Sequence, residues 1–103
     1  MADKYSHIRL DALQGTFELR VYPKEVNVSQ PFDSIMEPYT LTGLVRVYGD
    51  TAYVSLVSGK IERKALKQFY ETLAEMGINE VRWERRKHEQ KIIKIKNNLQ
   101  RGN

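Results

Sequence analysis

Hydrophobic and polar residues alternate along most of this chain. Within 5–13, Ile8 and Leu10 share one side. Gln14-Gly15 breaks the run, and 16–22 then alternates with Phe17, Leu19 and Val21 on one face. Successive side chains of a strand point to opposite faces, so a period of two marks a half-buried strand. The two runs predict an N-terminal hairpin turning at Gly15. Residues 44–48 and 52–57 flank Gly49-Asp50, a link whose glycine supplies the positive φ of a tight hairpin. Their near-continuous apolar content predicts central strands.

The period changes after Ser58. Ile61, Ala65, Leu66, Phe69, Leu73 and Met76 recur at spacings of three to four, the apolar stripe of a helix over 60–76. Ser58 is its candidate cap, because a hydroxyl accepts from the free amides of the first turn. Gly77 provides the left-handed residue that ends it. Phe69 and its neighbour Tyr70 read as packing residues. Alternation resumes over 78–87, with Val81 and Trp83 opposite Arg82, Glu84 and Arg86. His88-Glu89-Gln90 reads as a turn. In 91–96, Ile93 and Ile95 oppose Lys94 and Lys96, giving a closing strand; a short helix from His88, striped by Ile92 and Ile95, is the alternative.

Residues 23–40 hold all three prolines and break the pattern. Val26 and Val28 fit a short extended piece. Pro31 fits the start of one helical turn that reaches Met36 and stops at Pro38. A structured loop of this length is a candidate for function. Phe32, Ile35, Met36 and Tyr39 are expected to anchor it; left exposed, Phe32, Met36 and Tyr39 form a candidate protein-contact patch.

The element order predicts an α+β fold: a twisted, mostly antiparallel sheet in the order β-β-loop-β-β-α-β-β, with one main amphipathic helix packed on one face. The step from Val57 through the helix to Val81 predicts a parallel pair with a right-handed crossover. At 103 residues the chain suits one domain, 1–97, with a frayed tail at 98–103.

A hairpin, a helix and then a parallel strand carrying an aromatic resemble the core of the GNAT acetyltransferase fold. The likeness covers 41–86 and lies in element order, through Tyr53-Val54-Ser55-Leu56-Val57, the helix, and Gly77-Ile78-Asn79-Glu80-Val81-Arg82-Trp83. The family holds the acetyl-CoA pyrophosphate on an Arg/Gln-x-x-Gly-x-Gly/Ala loop at that helix. Here the stretch is Ser58-Gly59-Lys60-Ile61-Glu62-Arg63, with one glycine and an acidic residue toward the phosphates. The resemblance therefore implies a scaffold without the family's catalysis, and no catalytic residue is carried over.

Composition narrows the chemistry. The chain contains no cysteine, which removes disulfides, thiol catalysis and cysteine-ligated zinc. No apolar run or leader is readable, so a cytoplasmic protein with no membrane partner is expected. His7 and His88 lie far apart, and neither a metal cluster, a nucleophile triad nor a phosphate loop is legible. No catalytic residue, metal or cofactor is expected. The net charge of +4 conceals a division: residues 1–81 carry nine Lys/Arg and eleven Asp/Glu, whereas 82–103 carry eight and two. A body of −2 thus bears a terminal segment of +6, a pattern suited to a polyanion or acidic partner. Arg82, Arg85, Arg86, Lys87, Lys94 and Lys96 are the candidate contacts to nucleic acid or an acidic protein, with Trp83 and Tyr70 available for stacking where exposed. The function expected is a non-enzymatic accessory or regulatory binding module. The alternatives are a protein-interaction or homodimerisation domain of a bacterial or phage protein, and a reduced GNAT-like scaffold.

Overall fold

The structure, a computed structural model, describes residues 4–86 and 89–95, with only the backbone of Arg85 and Arg86. It contains β1 (Tyr5–Leu13), β2 (Thr16–Asn27), a 3-10 turn (Phe32–Ser34), β3 (Leu41–Tyr48), β4 (Thr51–Gly59), α1 (Arg63–Glu75), β5 (Glu80–Arg86) and β6 (Glu89–Lys94). Among the described residues the strands form one sheet in chain order. Neighbours run antiparallel except β4 and β5, which are parallel and connected through α1. No helix of the described residues is long and apolar enough to cross a membrane.

Register turns the alternation into a core. Phe17 lies opposite Val45, Val45 opposite Val54, and Val54 opposite Trp83, so one row crosses four strands. A second row joins Val47, Ala52, Val81 and Ile93. These side chains meet Ala65, Phe69 and Leu73 of α1, and Val45, Ala52, Val54, Phe69, Leu73 and Val81 are wholly buried. Burying an aliphatic or aromatic side chain of this size stabilises by about 1.5–3 kcal/mol, so the helix–sheet seam supplies most of the fold's apolar stabilisation. The helix ends as its glycine requires. Gly77 adopts φ +87°, its N–H donates to the Ala74 carbonyl at 3.0 Å, and the Ile78 N–H donates to the Leu73 carbonyl at 3.0 Å.

Several boundaries differ from the sequence reading. Strand β2 does not stop at Tyr22 but runs through Pro23 to Asn27. Proline has no N–H for a ladder, and the pairing adjusts: Ile8 pairs with Val21 and Ser6 with Val26, leaving a bulge between. The Tyr22 carbonyl inside the bulge takes the ring of buried His7, Nδ1 lying 2.8 Å away. The expected turn at Pro31 exists as Phe32–Ser34, with the Ser34 N–H donating to the Pro31 carbonyl at 2.9 Å. Met36 lies beyond it and is 89% exposed, so it anchors nothing. Met76, assigned to the helix stripe, is 42% exposed because α1 closes one residue earlier. The described part of the terminal segment is a strand, not a helix, and β6 begins at Glu89 inside the expected turn. Lys87, His88, Lys96 and the 98–103 tail lie outside the described residues.

The helix begins at Arg63 rather than Lys60, and Ser58 is not its cap. Ser58 instead lies in β4 opposite Thr42, because β3 and β4 keep pairing past an irregularity at Thr42/Leu44. The pairing ends where Gly59 takes φ +112° directly against the neighbouring backbone; a Cβ there would lie 2.1 Å from the Thr40 oxygen. The same Thr40 carbonyl accepts from the Lys60 N–H at 3.0 Å, and the Thr40 N–H donates to Val21 at 2.7 Å. One glycine thus ties the exit of β4 to β2. Gly59→Ala is expected to destabilise the protein by more than the roughly 1–3 kcal/mol of a strained backbone position, since it adds a clash. Gly49→Ala, with open space around its Cβ, bears the conformational penalty alone. Urea unfolding of both variants checks the order.

Candidate functional site

Among the described residues one α-helix covers one face of the sheet, and the other face has to be finished differently. Residues that alternate with the core line it: Arg9 and Asp11 on β1, Glu18 and Arg20 on β2, Arg46 and Tyr48 on β3, Tyr53 and Ser55 on β4, Glu80 and Arg82 on β5.

The β1–β2 half is closed by the loop that follows β2. Arg9 donates to the Gln30 carbonyl at 2.6 Å and to Asp11 Oδ2 at 2.8 Å. Arg20 pairs with Asp11 at 3.1 Å and with Glu18, and its guanidinium stacks 3.7 Å from the centre of the Phe32 ring. Both arginine side chains are under 15% exposed. Their bonded guanidinium groups hold the loop backbone and flatten Phe32 onto the sheet. Tyr39 meets Tyr22 edge-on at 6.4 Å. Of the candidate protein-contact residues, Phe32 and Tyr39 are therefore partly used as anchors, and Met36 stands free.

The β3–β6 half carries no such cover among the described residues. Arg46 pairs with Tyr53 across the ladder, Tyr53 with Arg82, and Arg82 with Ile92. Three strand spacings span about 14 Å, so a cation, an aromatic ring, a second cation and an apolar side chain lie in one row. Tyr48, 59% exposed, meets Tyr53 edge-on at 5.6 Å, and the Arg82 guanidinium lies 5.8 Å from the Tyr53 ring centre. Arg46, Tyr48, Tyr53, Ser55, Arg82 and Glu84 border a shallow depression of about 290 Å³. Arg46 is exposed and makes no ion pair among the described residues.

Glu80 organises the far end of this row. Its side chain is 10% exposed, and it accepts from Lys94 and from Arg82 Nε at 2.5 Å. The hydrogen bond from Lys94, then that from Arg82, holds its carboxyl below the usual range, and the same contact raises the Arg82 guanidinium. Two of the cations singled out from the sequence are therefore brought together but half neutralised. Arg85, Arg86, Lys87 and Lys96 have side chains outside the description. Trp83 faces the helix instead, packing edge-on to Phe69 at 5.6 Å and donating from Nε1 to the Tyr70 hydroxyl at 3.0 Å. Burial raises the Tyr70 hydroxyl above its ordinary pKa, and the Trp83 bond partly offsets this. The Trp83–Tyr70 pair belongs to the core side and cannot stack with a ligand on the Arg82 face.

The sequence reading passed over Arg46, Tyr48 and Tyr53. Their signal was the strict alternation with Val45, Val47, Ala52 and Val54, which makes every second residue of a central hairpin point away from the helix. A separate groove lies where β4 and β5 part after the Val54–Trp83 pair; Val57, Ile61, Leu66, Tyr70 and Trp83 line it. Among the described residues no cluster of His, Asp or Glu is arranged to hold a metal. Comparison with known proteins finds no matching family model, curated protein or solved structure.

The Glu80 cluster has a pH signature. A carboxylate held below its unfolded value near 4.3 stabilises the fold fully above that value, and the contribution disappears as pH falls through the folded value. Wild type is expected to exceed Glu80→Gln in urea stability by a constant margin at neutral pH. That margin should shrink on acidification below about pH 5. Urea midpoints measured from neutral to acid pH check it; a margin independent of pH would contradict the assignment.

Proposed function

We propose that this chain is a small binding module that holds single-stranded nucleic acid on the bare half of its sheet. The observation that supports the reading is the Arg46–Tyr53–Arg82 row beside Tyr48. Unpaired bases stack on aromatic rings exposed on a sheet surface, and guanidinium groups meet the phosphates between them. An aromatic patch with interleaved arginines, set in a shallow depression, suits splayed bases better than a duplex, whose bases are stacked inward. Strands β5 and β6, which fall mostly in the part of the sequence that carries the net +6, belong to the same half of the sheet. That charge would extend the electrostatic footprint without reading bases.

The test is fluorescence anisotropy of a labelled single-stranded oligonucleotide across a salt series. Affinity is expected to fall steeply with salt. Tyr48→Ala should remove about 1–3 kcal/mol of stacking, on the order of 5- to 150-fold in affinity. Arg46→Ala should lower the salt slope by about one. Both side chains are exposed, so circular dichroism should show an unchanged fold. An acidic protein partner would give salt-dependent binding of that partner that ignores Tyr48→Ala. Absence of oligonucleotide binding at low salt would remove the nucleic-acid reading.

The order of elements from β3 to β5, with β4 and β5 parallel and joined through α1, favours one second reading, a reduced GNAT-like scaffold. It requires thermal stabilisation by millimolar acetyl-CoA, and no shift in Tm would end it.

A further inference from the structure

The edge of β1 is open in the middle and carries a self-complementary charge pattern. Its turn at Gln14-Gly15 is a two-residue hairpin closed by Leu13 and Thr16. In such hairpins the closing pair exchanges both backbone bonds, and bonded pairs then alternate. Leu13, Asp11 and Arg9 therefore bond inward to β2, while the N–H and C=O groups of Ala12, Leu10 and Ile8 point outward. The other side of β2 agrees with this parity: Val21, opposite Ile8, offers its carbonyl to Thr40.

The start of this edge is already occupied. The Ser6 hydroxyl accepts from the Ile8 N–H at 3.0 Å, while Gln68 of α1 sits at the β1–β2 bulge, accepting from the His7 N–H at 2.8 Å and donating to Glu25 at 2.6 Å. From the Ile8 carbonyl to Ala12 nothing among the described residues occupies it. This stretch contains neither lysine nor proline, the residues that usually blunt an edge, whereas the opposite edge, β6, carries Lys91 and Lys94.

We propose that β1 pairs antiparallel with β1 of a second copy, about a twofold axis through Leu10. The register follows from charge. Centring on Arg9 sets arginine against arginine, and centring on Asp11 sets aspartate against aspartate. Centring on Leu10 sets Arg9 of each copy, which also bonds its own Asp11, against Asp11 of the other, so the intrachain pairs are extended across the axis in the closely spaced, non-hydrogen-bonded positions and no like charges oppose. It also pairs Leu10 with its own copy and Ile8 with Ala12, all on the helix side. Four backbone bonds form without disturbing the Ser6 hydroxyl: the reciprocal Leu10 pair, and each Ala12 N–H to the other copy's Ile8 carbonyl.

Three measurements test this together. Sedimentation equilibrium should give a mass near 24 kDa, about twice the 12.1 kDa chain. Ala12→Pro removes an outward N–H and no bond within the chain, so the variant should keep its circular dichroism and shift toward monomer. Leu10→Cys, in a chain without cysteine, should oxidise to a covalent dimer because the two residues face each other across the axis. Leu13→Cys, whose copies lie at opposite ends of the paired segment, should not. A dimer that crosslinks selectively at residue 10 supports the proposal. A monomer, or a dimer without that crosslink, overturns it.

Discussion

The arrangement of this protein follows from a shortage of helix. A sheet of six strands is about 24 Å wide, and the thirteen residues of α1 reach about 20 Å along one face. That face can be closed with apolar side chains, and it is: Phe69 and Leu73 sit at the centre of a seam with no exposed member among its main residues. Among the described residues the other face has no second layer of helix or sheet. Its backbone is already satisfied by the ladders, so its side chains must satisfy themselves or meet water. Polar and aromatic residues occupy it for that reason, and they set the limits on what the protein can bind.

Two solutions appear side by side on that face. Over β1 and β2, Arg9 and Arg20 are nearly buried, which is tolerable because Asp11, Glu18 and backbone carbonyls accept from them. The aromatic ring of Phe32 covers Arg20, so the loop acts as a partial second layer. Over β3 to β6 the arginines remain at the surface beside tyrosines. The difference lies in the connection: β2 is followed by a long proline-bearing loop that can fold back, while β3 and β4 are joined by two residues that cannot. Loop length therefore decides which half of the face is covered.

The sequence made the strands, the hairpins and the amphipathic helix legible because their periods are local properties. Val45, Val47, Ala52 and Val54 announce one face by themselves. Ser58 was misleading for a nonlocal reason. A serine before a striped helix is a good cap, yet here β3 holds it in the sheet, and only the close approach of Gly59 to Thr40 reveals where the strand ends. Pro23 misled in the same way, since a bulge lets a strand continue past a residue that lacks a donor. The candidate site was half legible. Charge counting led to Arg82 and Lys94 but could not show that both converge on Glu80, because Glu80 meets Lys94 only through strand pairing. Arg46 and Tyr53 are distant in sequence from that segment, and only the parallel register of β4 and β5 brings Tyr53 against Arg82.

The two proposals concern opposite ends of the sheet, and the geometry relates them. A twofold axis that pairs β1 with its copy, helix side to helix side, runs perpendicular to the sheet. Both bare faces then lie on the same side of the dimer, with the two Phe32-bearing loops between them. Each patch alone is small, a single row of about 14 Å with two tyrosines, and a site of that size holds few bases. Two patches facing one way could engage one strand together, provided the strand is long enough to pass both loops. The second contact would then be intramolecular, with an effective concentration set by the length of strand between the patches. Pairing at β1 would in this way compensate for the smallness of the uncovered surface that one helix leaves.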